Sequence, residues 1–368
     1  MKVLQINKLY APDIGGIETV VKDIAEGLCE QVDMRVLVCQ RKGRRVNEII
    51  NGVDVLRASS WGMFFSMPFS LDFIGQYWRM SGDAQIIQLH APFPLADLAI
   101  WLIRRKSKLV VWWHSDIFRQ RFLRKLFYPF IKYTLRRADV ILVTDEAVID
   151  ASVYLPRYRN KCRVIPFGLD FSAYPVPANG LLSGLLNNKA RVKVLFVGRL
   201  VYYKGIEILL KAMKTVCGAE LFIVGNGVLE CTLKKSVEIS GINETVHFLG
   251  TLPNDELLAA YYDCDMLVLP SIANSEMFGI CQLEAMFYGK PVINTDLPTA
   301  VPTVSINGQT GLTVPPGDAV ALAEAINKLV KDAALRHTYG IAASQRVRRK
   351  YDREQMIEAV YTCYENSI

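Results

Sequence analysis

Residues 192–225 read VKVLFVGRLVYYKGIEILLKAMKTVCGAELFIVG, and this stretch decides the fold class. A short run of β-branched and aliphatic residues ends at Gly198, an amphipathic helical pattern follows Gly205, and a second apolar run ends at Gly225. A strand, a helix and another strand in this order are the unit from which parallel sheets with covering helices are built. The segment therefore predicts an α/β domain.

The same alternation occurs on both sides of one irregular segment. Strands are also predicted in VLQIN, MRVLVC, AQIIQLH, KLVVWWHS, DVILVT and CRVIPFG upstream, and in VHFLG, DMLVLPS and KPVINTD downstream. Residues 173–189 are rich in Pro, Gly, Asn and Ser, a composition typical of a linker. We expect one domain at 1–172, a second at 190–350, and a final helix at about 352–368 that can pack back on the first domain.

Composition and charge exclude several other classes of protein. With 368 residues, 51% of them hydrophobic, the chain can form two cores of ordinary size. The start, MKVLQINKLY, lacks the uninterrupted apolar core of a signal peptide, and the longest apolar stretch is interrupted by polar residues. The eight cysteines have no metal-ligand spacing, which predicts reduced thiols and a cytoplasmic location. The net charge of +7 predicts anionic partners.

Paired glycines follow the first predicted strand. Gly15 and Gly16 precede a helix, where a diphosphate or a sugar could approach the backbone closely and the helix dipole would favour a negative charge. A tight turn without a ligand explains the pair equally well. Glu18, in the first turn of the same helix, is assigned to the acceptor side.

Two cations follow the first strand of the second domain. Arg199 and Lys204 lie five residues apart beyond Gly198, and both could reach one diphosphate, the arginine through forked hydrogen bonds and the lysine as a point charge. Two solvated surface cations are the alternative. The next strand ends in Gly225, Asn226 and Gly227, a second permissive turn at the edge where parallel sheets bind ligands.

The strongest cluster lies between residues 270 and 285. Glu276 could accept hydrogen bonds from sugar hydroxyls, while the backbone N–H groups of Gly279 and Ile280 could bind a phosphate at the start of a helix. Glu284 lies one helical turn further on and could bind a ribose diol, and Phe278 is assigned to the same donor site. Acidic residues are common near helix starts, which explains each glutamate separately but not the whole cluster.

Histidines end two strands of the first domain. His114 closes KLVVWWHS and His90 closes AQIIQLH, so either could hydrogen bond to the reacting sugar. A lone histidine is more often structural, but the strand-end positions favour function, and more so for His114. His90 and Asp116 are assigned to the acceptor side. The sequence Asp-Cys-Asp at 263–265 resembles a metal motif but directly precedes a strand, as turns do, so no metal site is predicted.

Residues 119–137 form a basic and aromatic segment. The sequence RQRFLRKLFYPFIKYTLRR contains seven Lys or Arg and no acid, interleaved with bulky apolar residues. This pattern is typical of a soluble protein that rests on an anionic membrane, and a core-facing helix with a solvated basic side is the alternative. The residues assigned to the acceptor or membrane side are Arg119, Arg121, Arg124 and Lys125. Nucleic-acid binding is disfavoured because the basic residues lie beside large apolar ones.

These motifs occur in an order that resembles retaining glycosyltransferase family 4. They are Gly15-Gly16, His114-Ser115-Asp116, Gly198-Arg199 with Lys204-Gly205, Gly225-Asn226-Gly227, Glu276 to Glu284, and Gly289-Lys290-Pro291. The resemblance spans nearly the whole chain. It implies the GT-B fold, in which two Rossmann-like domains with parallel sheets face each other across a deep cleft, and it implies retaining transfer without a metal or another cofactor.

The resemblance also implies roles for single residues. Arg199 and Lys204 would stabilise the departing diphosphate, where negative charge develops in the transition state. His114 would orient the donor sugar, Glu276 would hold its hydroxyls, and Glu284 would bind the ribose. One position departs from the family pattern, since Met277 stands where the family usually has Pro, Ala or Ser.

Among family members the sequence most resembles bacterial mannosyltransferases of O-antigen and other surface polysaccharides, which use GDP-mannose. The expected partners are therefore a nucleotide diphosphate sugar, a lipid-linked glycan acceptor, the inner membrane surface as a peripheral contact, and other polysaccharide-assembly transferases. A UDP- or dTDP-sugar donor is the main alternative. A sugar nucleotide epimerase or phosphorylase and a non-catalytic sugar-binding protein are further alternatives on similar domains.

Overall fold

The structure is a computed structural model that describes residues 1–13, 15–64, 67–116 and 121–367, with the side chains of 121–125 also left undescribed. Contacts divide the chain into two units. The first comprises Met1–Gly168 and Arg353–Ile368, and the second comprises Leu169–Asp352. Among the described residues, no helix combines the length and the apolar character needed to cross a membrane.

A mostly parallel sheet forms the centre of the first unit. Its strands are β1 (Lys2–Ile6), β2 (Asp33–Cys39), β3 (Val46–Ile50), β4 (Val53–Ala58), β7 (Ile86–Ala91), β8 (Lys108–Trp113), β9 (Val140–Val143) and β10 (Cys162–Val164), and a separate pair is formed by β5 (Met63–Phe64) and β6 (Met67–Pro68). Within the described ranges the sheet order is β10-β9-β8-β7-β1-β2-β4-β3. Among its described strands, the edge strand β3 alone runs antiparallel, to β4.

Helices cover this sheet, which is why its central strands read as continuous apolar runs. They are α1 (Gly16–Leu28), α2 (Asp72–Met80), α3 (Pro94–Leu102), α4 (Arg121–Arg137) and α5 (Glu146–Ala151). Each predicted strand of the first domain is present in the structure. The β3–β4 hairpin was not predicted, although Asn51 and Gly52 at its turn both have positive φ, as the Asn-Gly hairpin signal requires.

In the second unit, parallel strands again form the centre. They are β11 (Val192–Val197), β12 (Ala219–Val224), β13 (Val246–Gly250), β14 (Met266–Val268), β15 (Val292–Thr295) and β16 (Gly311–Val314). The described strands pair in the order β13-β12-β11-β14-β15-β16. The sequence predicted all of them except β16.

The helices of the second unit precede one last helix that belongs to the first. They are α6 (Ile206–Met213), α7 (Glu230–Ile239), α8 (Asn254–Asp263), α9 (Ile280–Phe287), α10 (Val301–Val304), α11 (Ala319–Lys331) and α12 (Ala333–Lys350), and the last helix is α13 (Arg353–Glu365). Helix α13 packs on α1. Gly27 permits the close approach, because a Cβ at this position would lie 2.3 Å from Cδ1 of Ile357.

The segment expected to be a linker is packed against the second unit. Leu182 is fully buried, and the backbone N–H of Ser183 donates to the Asp263 carboxylate at 2.6 Å. Lys193 Nζ donates to the same carboxylate at 2.7 Å. Asp263, part of the apparent metal motif, therefore anchors the 173–189 segment. Residues 173–189, expected to be a linker, therefore lie within the second unit.

Candidate active site

Two of the predicted site residues meet where the strand order of the second unit reverses. Strand β11 pairs with β12 on one side and with β14 on the other. Such a switch point is where open parallel sheets bind ligands, beyond the carboxyl ends of the strands. Lys204 follows β11 and Glu276 follows β14, so the topology brings both to this edge.

A close backbone contact joins the loops that carry these two residues. Gly205 has φ of 68°, and a Cβ there would lie 1.9 Å from the carbonyl oxygen of Pro270. The backbone N–H of Ile272 donates to the Tyr203 carbonyl at 2.8 Å. The turn that bears Lys204 is thereby fixed against the loop that leads to Glu276, and only glycine fits at its tightest point.

Lys204 and Glu276 form a largely buried ion pair. Lys204 Nζ lies 2.5 Å from Oε2 of Glu276, and the side chains are only 12% and 10% exposed. The hydroxyl of Ser271 donates to the same carboxylate oxygen at 3.0 Å. Burial alone would lower the pKa of Lys204, but the acidic groups around it, the Glu276 carboxylate foremost, together outweigh burial and the pKa is raised. Lys204 is therefore a fixed positive charge at neutral pH.

Arg199 lies beside this pair, linked to it through Tyr203. An Nη of Arg199 donates to the Tyr203 hydroxyl at 2.9 Å, and the Tyr203 ring lies 5.9 Å from Lys204 Nζ. Arg199 is exposed, whereas the Lys204 side chain is largely buried. The structure thus places both predicted cations around one tyrosine at the end of β11, in a region that can attract an anionic ligand.

Three of the predicted donor-site glycines allow two backbone segments to touch. A Cβ at Gly225 would lie 2.1 Å from the carbonyl oxygen of Gly198, and one at Gly227 would lie 2.4 Å from that of Leu200. The N–H of Leu200 donates to the Asn226 carbonyl at 2.8 Å. These glycines therefore have a structural cause independent of any ligand, namely the packing of the loops after β11 and β12.

The start of α9 offers backbone N–H groups without a capping side chain among the described residues. Gly279, with φ of 75°, precedes the first helical residue Ile280. A Cβ at Gly279 would lie 2.5 Å from a methyl carbon of Leu269. Phe278 is buried with its ring edge-on to Tyr351, at 5.9 Å between ring centres. An uncapped helix N-terminus favours an anion such as a phosphate.

Glu284 lies deeper along α9 and is held by two tyrosines. Oε2 accepts from the Tyr261 hydroxyl at 2.6 Å, and Oε1 accepts from the Tyr174 hydroxyl at 3.1 Å. Burial raises the pKa of Glu284, while the two hydroxyl donors partly offset this effect. Each carboxylate oxygen keeps lone-pair capacity for one more donor. Its predicted role at the ribose stays a prediction.

In the first unit, His90 and His114 belong to one buried hydrogen-bonded chain. Nε2 of His90 lies 2.8 Å from Nε2 of Gln5 and 3.0 Å from Nε2 of Gln88. Nδ1 of His90 lies 2.9 Å from Nε2 of His114. The Tyr364 hydroxyl donates to Oε1 of Gln88. His90 is 1% exposed, so it can act on a ligand only through His114.

Both histidines of this chain are neutral. Burial lowers the pKa of His90 well below its ordinary value, and the neighbouring His114 lowers it further. Burial, with a smaller contribution from the Lys8 charge, lowers the pKa of His114 to about 3. Nδ1 of His114 is buried without a hydrogen-bond partner among the described residues.

Lys8 and Glu18 form a second polar group near the start of α1. Burial lowers the pKa of Lys8, and the carboxylates of Glu18 and Asp97 oppose this effect. Glu18 folds back over the glycine pair, since a Cβ at Gly15 would lie 2.2 Å from its Oε2. Burial raises the pKa of Asp97 to about 7. Ile14, between Asp13 and Gly15, lies outside the described residues.

The remaining residues assigned to the acceptor side have different surroundings. Asp116 accepts from the Trp113 indole at 3.0 Å, the Ser152 hydroxyl at 2.7 Å and the Val153 N–H at 2.8 Å, contacts that stabilise the loop after β8. Its described contacts are therefore structural. Arg119 lies outside the described residues, as do the side chains of Arg121, Arg124 and Lys125.

Several polar residues of these clusters were not singled out in the sequence. They are Gln5, Lys8, Gln88, Tyr174, Tyr261 and Tyr364. The sequence offered a partial signal for Gln5 and Gln88. Each is a polar residue inside an otherwise apolar strand, β1 or β7, and a buried glutamine needs a hydrogen-bond partner. Tyr364 carried no such signal, since its partner Gln88 is remote in the sequence.

Comparison with known proteins identifies the family. The model described as Glycosyltransferase Family 4 matches residues 14–173, and the model described as Glycosyl transferases group 1 matches residues 183–346. The chain is 34% identical over 353 residues to the D-rhamnosyltransferase WbpZ of Pseudomonas aeruginosa, a match covering 95% of this chain and 92% of that protein. The chain belongs to glycosyltransferase family 4. The family resemblance inferred from the motifs is thereby confirmed, and the protein is a glycosyltransferase.

Further relatives agree with this assignment. The O-antigen chain mannosyltransferase C of Escherichia coli is 29% identical, covering 99% of this chain and 98% of that protein. Two solved structures share the fold with a TM-score of 0.80. They are sucrose-phosphate synthase from Thermosynechococcus elongatus, at 21% identity over 99% of this chain and 98% of that one, and Anabaena HepE in complex with UDP-glucose, at 18% identity over 100% of both. The predicted GT-B fold of this family 4 glycosyltransferase is confirmed.

Proposed function

We propose that this glycosyltransferase transfers D-mannose from GDP-mannose, with retention of configuration, to a lipid-linked glycan acceptor in the synthesis of O-antigen or another surface polysaccharide. One full-length relative is named for mannose and another for D-rhamnose, which is 6-deoxy-D-mannose. A donor sugar of manno configuration is common to both names. The D-rhamnose nucleotide is therefore the alternative donor, distinguished by the group at carbon 6.

The observation that carries the proposal is the buried ion pair of Lys204 and Glu276. A lysine that stays charged beside the uncapped start of α9 suits a departing diphosphate, because negative charge develops on the leaving oxygen in the transition state. Arg199 adds a second cation close by. Protein cations of this kind support transfer without a metal ion.

The reaction then needs no separate nucleophile on the protein. The bond between the anomeric carbon and the phosphate oxygen breaks, and the acceptor hydroxyl oxygen bonds to the anomeric carbon on the same face. The proton of the acceptor hydroxyl passes to an oxygen of the departing diphosphate. In this scheme Oε1 of Glu276, which is not the oxygen nearest Lys204, accepts from a hydroxyl of the donor sugar. His114 donates to the sugar and Glu284 accepts from the ribose.

A donor panel tests this proposal. The full chain would be incubated with GDP-mannose, GDP-D-rhamnose, UDP-glucose and dTDP-rhamnose, with and without EDTA, and hydrolysis and thermal stabilisation would be measured. We expect a response to a manno-configured donor that EDTA leaves unchanged, and an α-linked product by NMR from the α-linked donor. Loss of activity in EDTA, or inversion in the product, would contradict the mechanism.

A pair of lysine variants makes the panel specific for the site. Lys204→Ala should lower kcat by about 10²-fold or more, in the range found when a single charge-stabilising donor is removed. Lys211→Ala removes an exposed lysine from α6 of the same unit and should leave kcat unchanged. Equal rates in both variants would show that Lys204 does not stabilise the leaving group.

We also propose that the first unit binds an anionic membrane, where a lipid-linked acceptor resides. The described part of α4 supports this only weakly, because Ile131 and Leu135 face the core and Phe130 packs edge-on to Trp101 at 5.2 Å. Stronger support comes from a surface that we call the aromatic-basic surface. It comprises Arg41, Lys42, Arg44, Arg45, Trp61, Phe64 and Phe69.

Exposed rings and cations are joined by backbone contacts in the aromatic-basic surface. The rings of Trp61 and Phe64 lie 5.4 and 6.2 Å from that of Phe69, and all three side chains are more than half exposed. Gly43 exchanges two backbone hydrogen bonds with Ser60, at 2.9 Å each, which brings the basic run beside the rings. Aromatic side chains favour the membrane interface, and a cation there adds about 1 kcal/mol at an anionic leaflet. Arg41 and Arg45 add less than this because they pair with Asp13 and Asp72.

Vesicle flotation tests the aromatic-basic surface. The wild-type chain should float with vesicles of phosphatidylethanolamine and phosphatidylglycerol but not with phosphatidylcholine alone. The double variant Trp61→Ser with Phe69→Ser should lose this binding, whereas Ile239→Ser, which removes an apolar side chain 87% exposed on the second unit, should retain it. Equal flotation of both variants would exclude this surface as the membrane contact.

A further inference from the structure

A chain of buried side chains in the first unit has a defined hydrogen-bond direction. The Tyr364 hydroxyl donates to Oε1 of Gln88, so the amide oxygen faces the tyrosine and the amide nitrogen faces His90. Gln5 directs its own amide nitrogen at the same imidazole atom. With both amides in this orientation, which leaves Oε1 of Gln5 buried without a partner among the described residues, Nε2 of His90 accepts and carries no proton, because an amide NH₂ can only donate.

The protonation of His90 determines which nitrogen of His114 carries a proton. A neutral imidazole has one protonated and one bare nitrogen, so His90 carries its proton on Nδ1. That N–H donates to Nε2 of His114 across 2.9 Å, which leaves Nε2 of His114 as the acceptor. The single proton of neutral His114 must then lie on Nδ1, the buried atom that has no partner among the described residues.

We propose that Tyr364, Gln88, Gln5 and His90 are positioning residues that hold His114 as its Nδ1-protonated tautomer, so that it presents an N–H donor to an oxygen of the bound donor substrate. This inference rests on the proposed function for the identity of the ligand, and on geometry alone for the tautomer. A buried donor without a partner costs free energy, and a ligand oxygen at Nδ1 would remove that cost.

The arrangement also explains why α13 belongs to the first unit. Tyr364 lies on α13 and is fully buried, and its hydroxyl reaches the strand residue Gln88. The helix thus contributes the first donor of the chain, and losing that hydroxyl would free the Gln88 amide to rotate. If the Gln5 amide rotated with it, both amide oxygens would face Nε2 of His90, which would shift the proton of His90 to Nε2 and reverse the direction of its hydrogen bond with His114.

Nitrogen NMR of the full chain tests the tautomer directly and without substrate. The chain has four histidines, so imidazole ¹⁵N labelling with one variant for each signal assigns the spectrum. In the wild type we expect His114 with a protonated Nδ1 and a bare Nε2. A protonated Nε2, or rapid exchange between the two tautomers, would overturn the proposal even if transfer activity is present.

Variants then test whether these hydrogen-bonded side chains set the tautomer of His114. Tyr364→Phe and, separately, Gln88→Met should each give a mixture of tautomers at His114 and lower kcat by about fivefold or more, as expected for one weakened hydrogen bond, with a smaller change in KM. Tyr10→Phe, at a buried tyrosine whose hydroxyl has no described partner, serves as the control and should change neither. An unchanged His114 spectrum in both Tyr364→Phe and Gln88→Met would show that these residues do not act on the tautomer of His114. Absence of transfer in the wild type, with the tautomer as expected, would instead count against the proposed function alone.

Discussion

Replacing Gly205 by alanine should damage stability and catalysis together. This glycine has φ of 68°, and an added Cβ would lie 1.9 Å from the Pro270 carbonyl oxygen. Gly241, in the turn after α7, has a similar φ of 65° but no atom within 4 Å of the added Cβ. The two substitutions therefore share the backbone strain and differ in the steric overlap.

The expected magnitudes follow from this difference. An alanine in the left-handed region costs about 1–2 kcal/mol, which is the whole effect expected for Gly241→Ala. Gly205→Ala adds about 1–3 kcal/mol of steric strain, because the Pro270 carbonyl must move away by more than an ångström. For a unit of this size each kcal/mol lowers Tm by about 2–4 °C. The movement would also separate Lys204 from Glu276, and a misplacement of this size can lower kcat by about 10²-fold.

Thermal unfolding and steady-state kinetics measure the two effects on the same preparations. We expect Gly205→Ala to unfold at a lower temperature than Gly241→Ala and to lose most of its kcat, while Gly241→Ala keeps its kcat. If the two variants lose the same stability and both remain fully active, the contact between Gly205 and Pro270 does not position the lysine. The reasoning from backbone contact to catalysis would then be refuted.

Three further predictions concern single side chains. Glu276→Gln should keep the fold but lower kcat by about 10²-fold, since the amide no longer fixes Lys204 or accepts a sugar hydroxyl as strongly; an unchanged rate in a donor assay would contradict both roles. Tyr261→Phe leaves the buried Glu284 carboxylate with one donor fewer, so the free energy of unfolding by urea should fall by about 1–3 kcal/mol. Burial lowers the pKa of His114 to about 3, below the unfolded value of about 6.5, so the unfolded state binds the extra proton and stability falls as pH drops from 6.5 towards 3. At pH 5 the loss of stability from His114 amounts to about 2 kcal/mol. The free energies of unfolding by urea of the wild type and of His114→Asn should therefore approach each other by about that amount between pH 7.5 and pH 5. Asp97 contributes with the opposite sign, but its contribution is common to both proteins.

The sequence predicted the strands well because parallel strands buried on both faces are nearly continuous apolar runs. It missed the β3–β4 hairpin, the two-residue strands β5 and β6, and β16. Strand β3 is an exposed edge, Asp54 and Arg57 interrupt the apolar run of β4, and β16 has only four residues, so none of these strands shows a long apolar run. The segment at 173–189 has the composition of a linker, yet its backbone N–H groups satisfy the carboxylates of Asp263 and Glu220.

The candidate site residues were predictable as types but not as partners. Their positions after predicted strands indicated Lys204 as a residue that binds a diphosphate and, separately, Glu276 as a residue that binds a sugar. Their ion pair depends on the contact of Gly205 with Pro270, and no local pattern in the sequence indicates that contact. Likewise Tyr364 gave no signal as the partner of Gln88, because α13 follows the whole second unit in the chain.

Sheet order is the missing step between these residue types and their partners. In the second unit β11 and β14 are neighbours although they are not consecutive, and in the first unit β1 and β7 have the same relation. Each pair marks the point where the order of the strands reverses. Lys204 follows β11 and Glu276 follows β14, while Lys8 follows β1 and His90 is the last but one residue of β7. A rule that looks for polar residues at the carboxyl ends of the two strands at a switch point would therefore select Lys204 with Glu276 and Lys8 with His90, but not His114, which follows β8. Such a rule needs the sheet topology, which the sequence pattern alone does not supply.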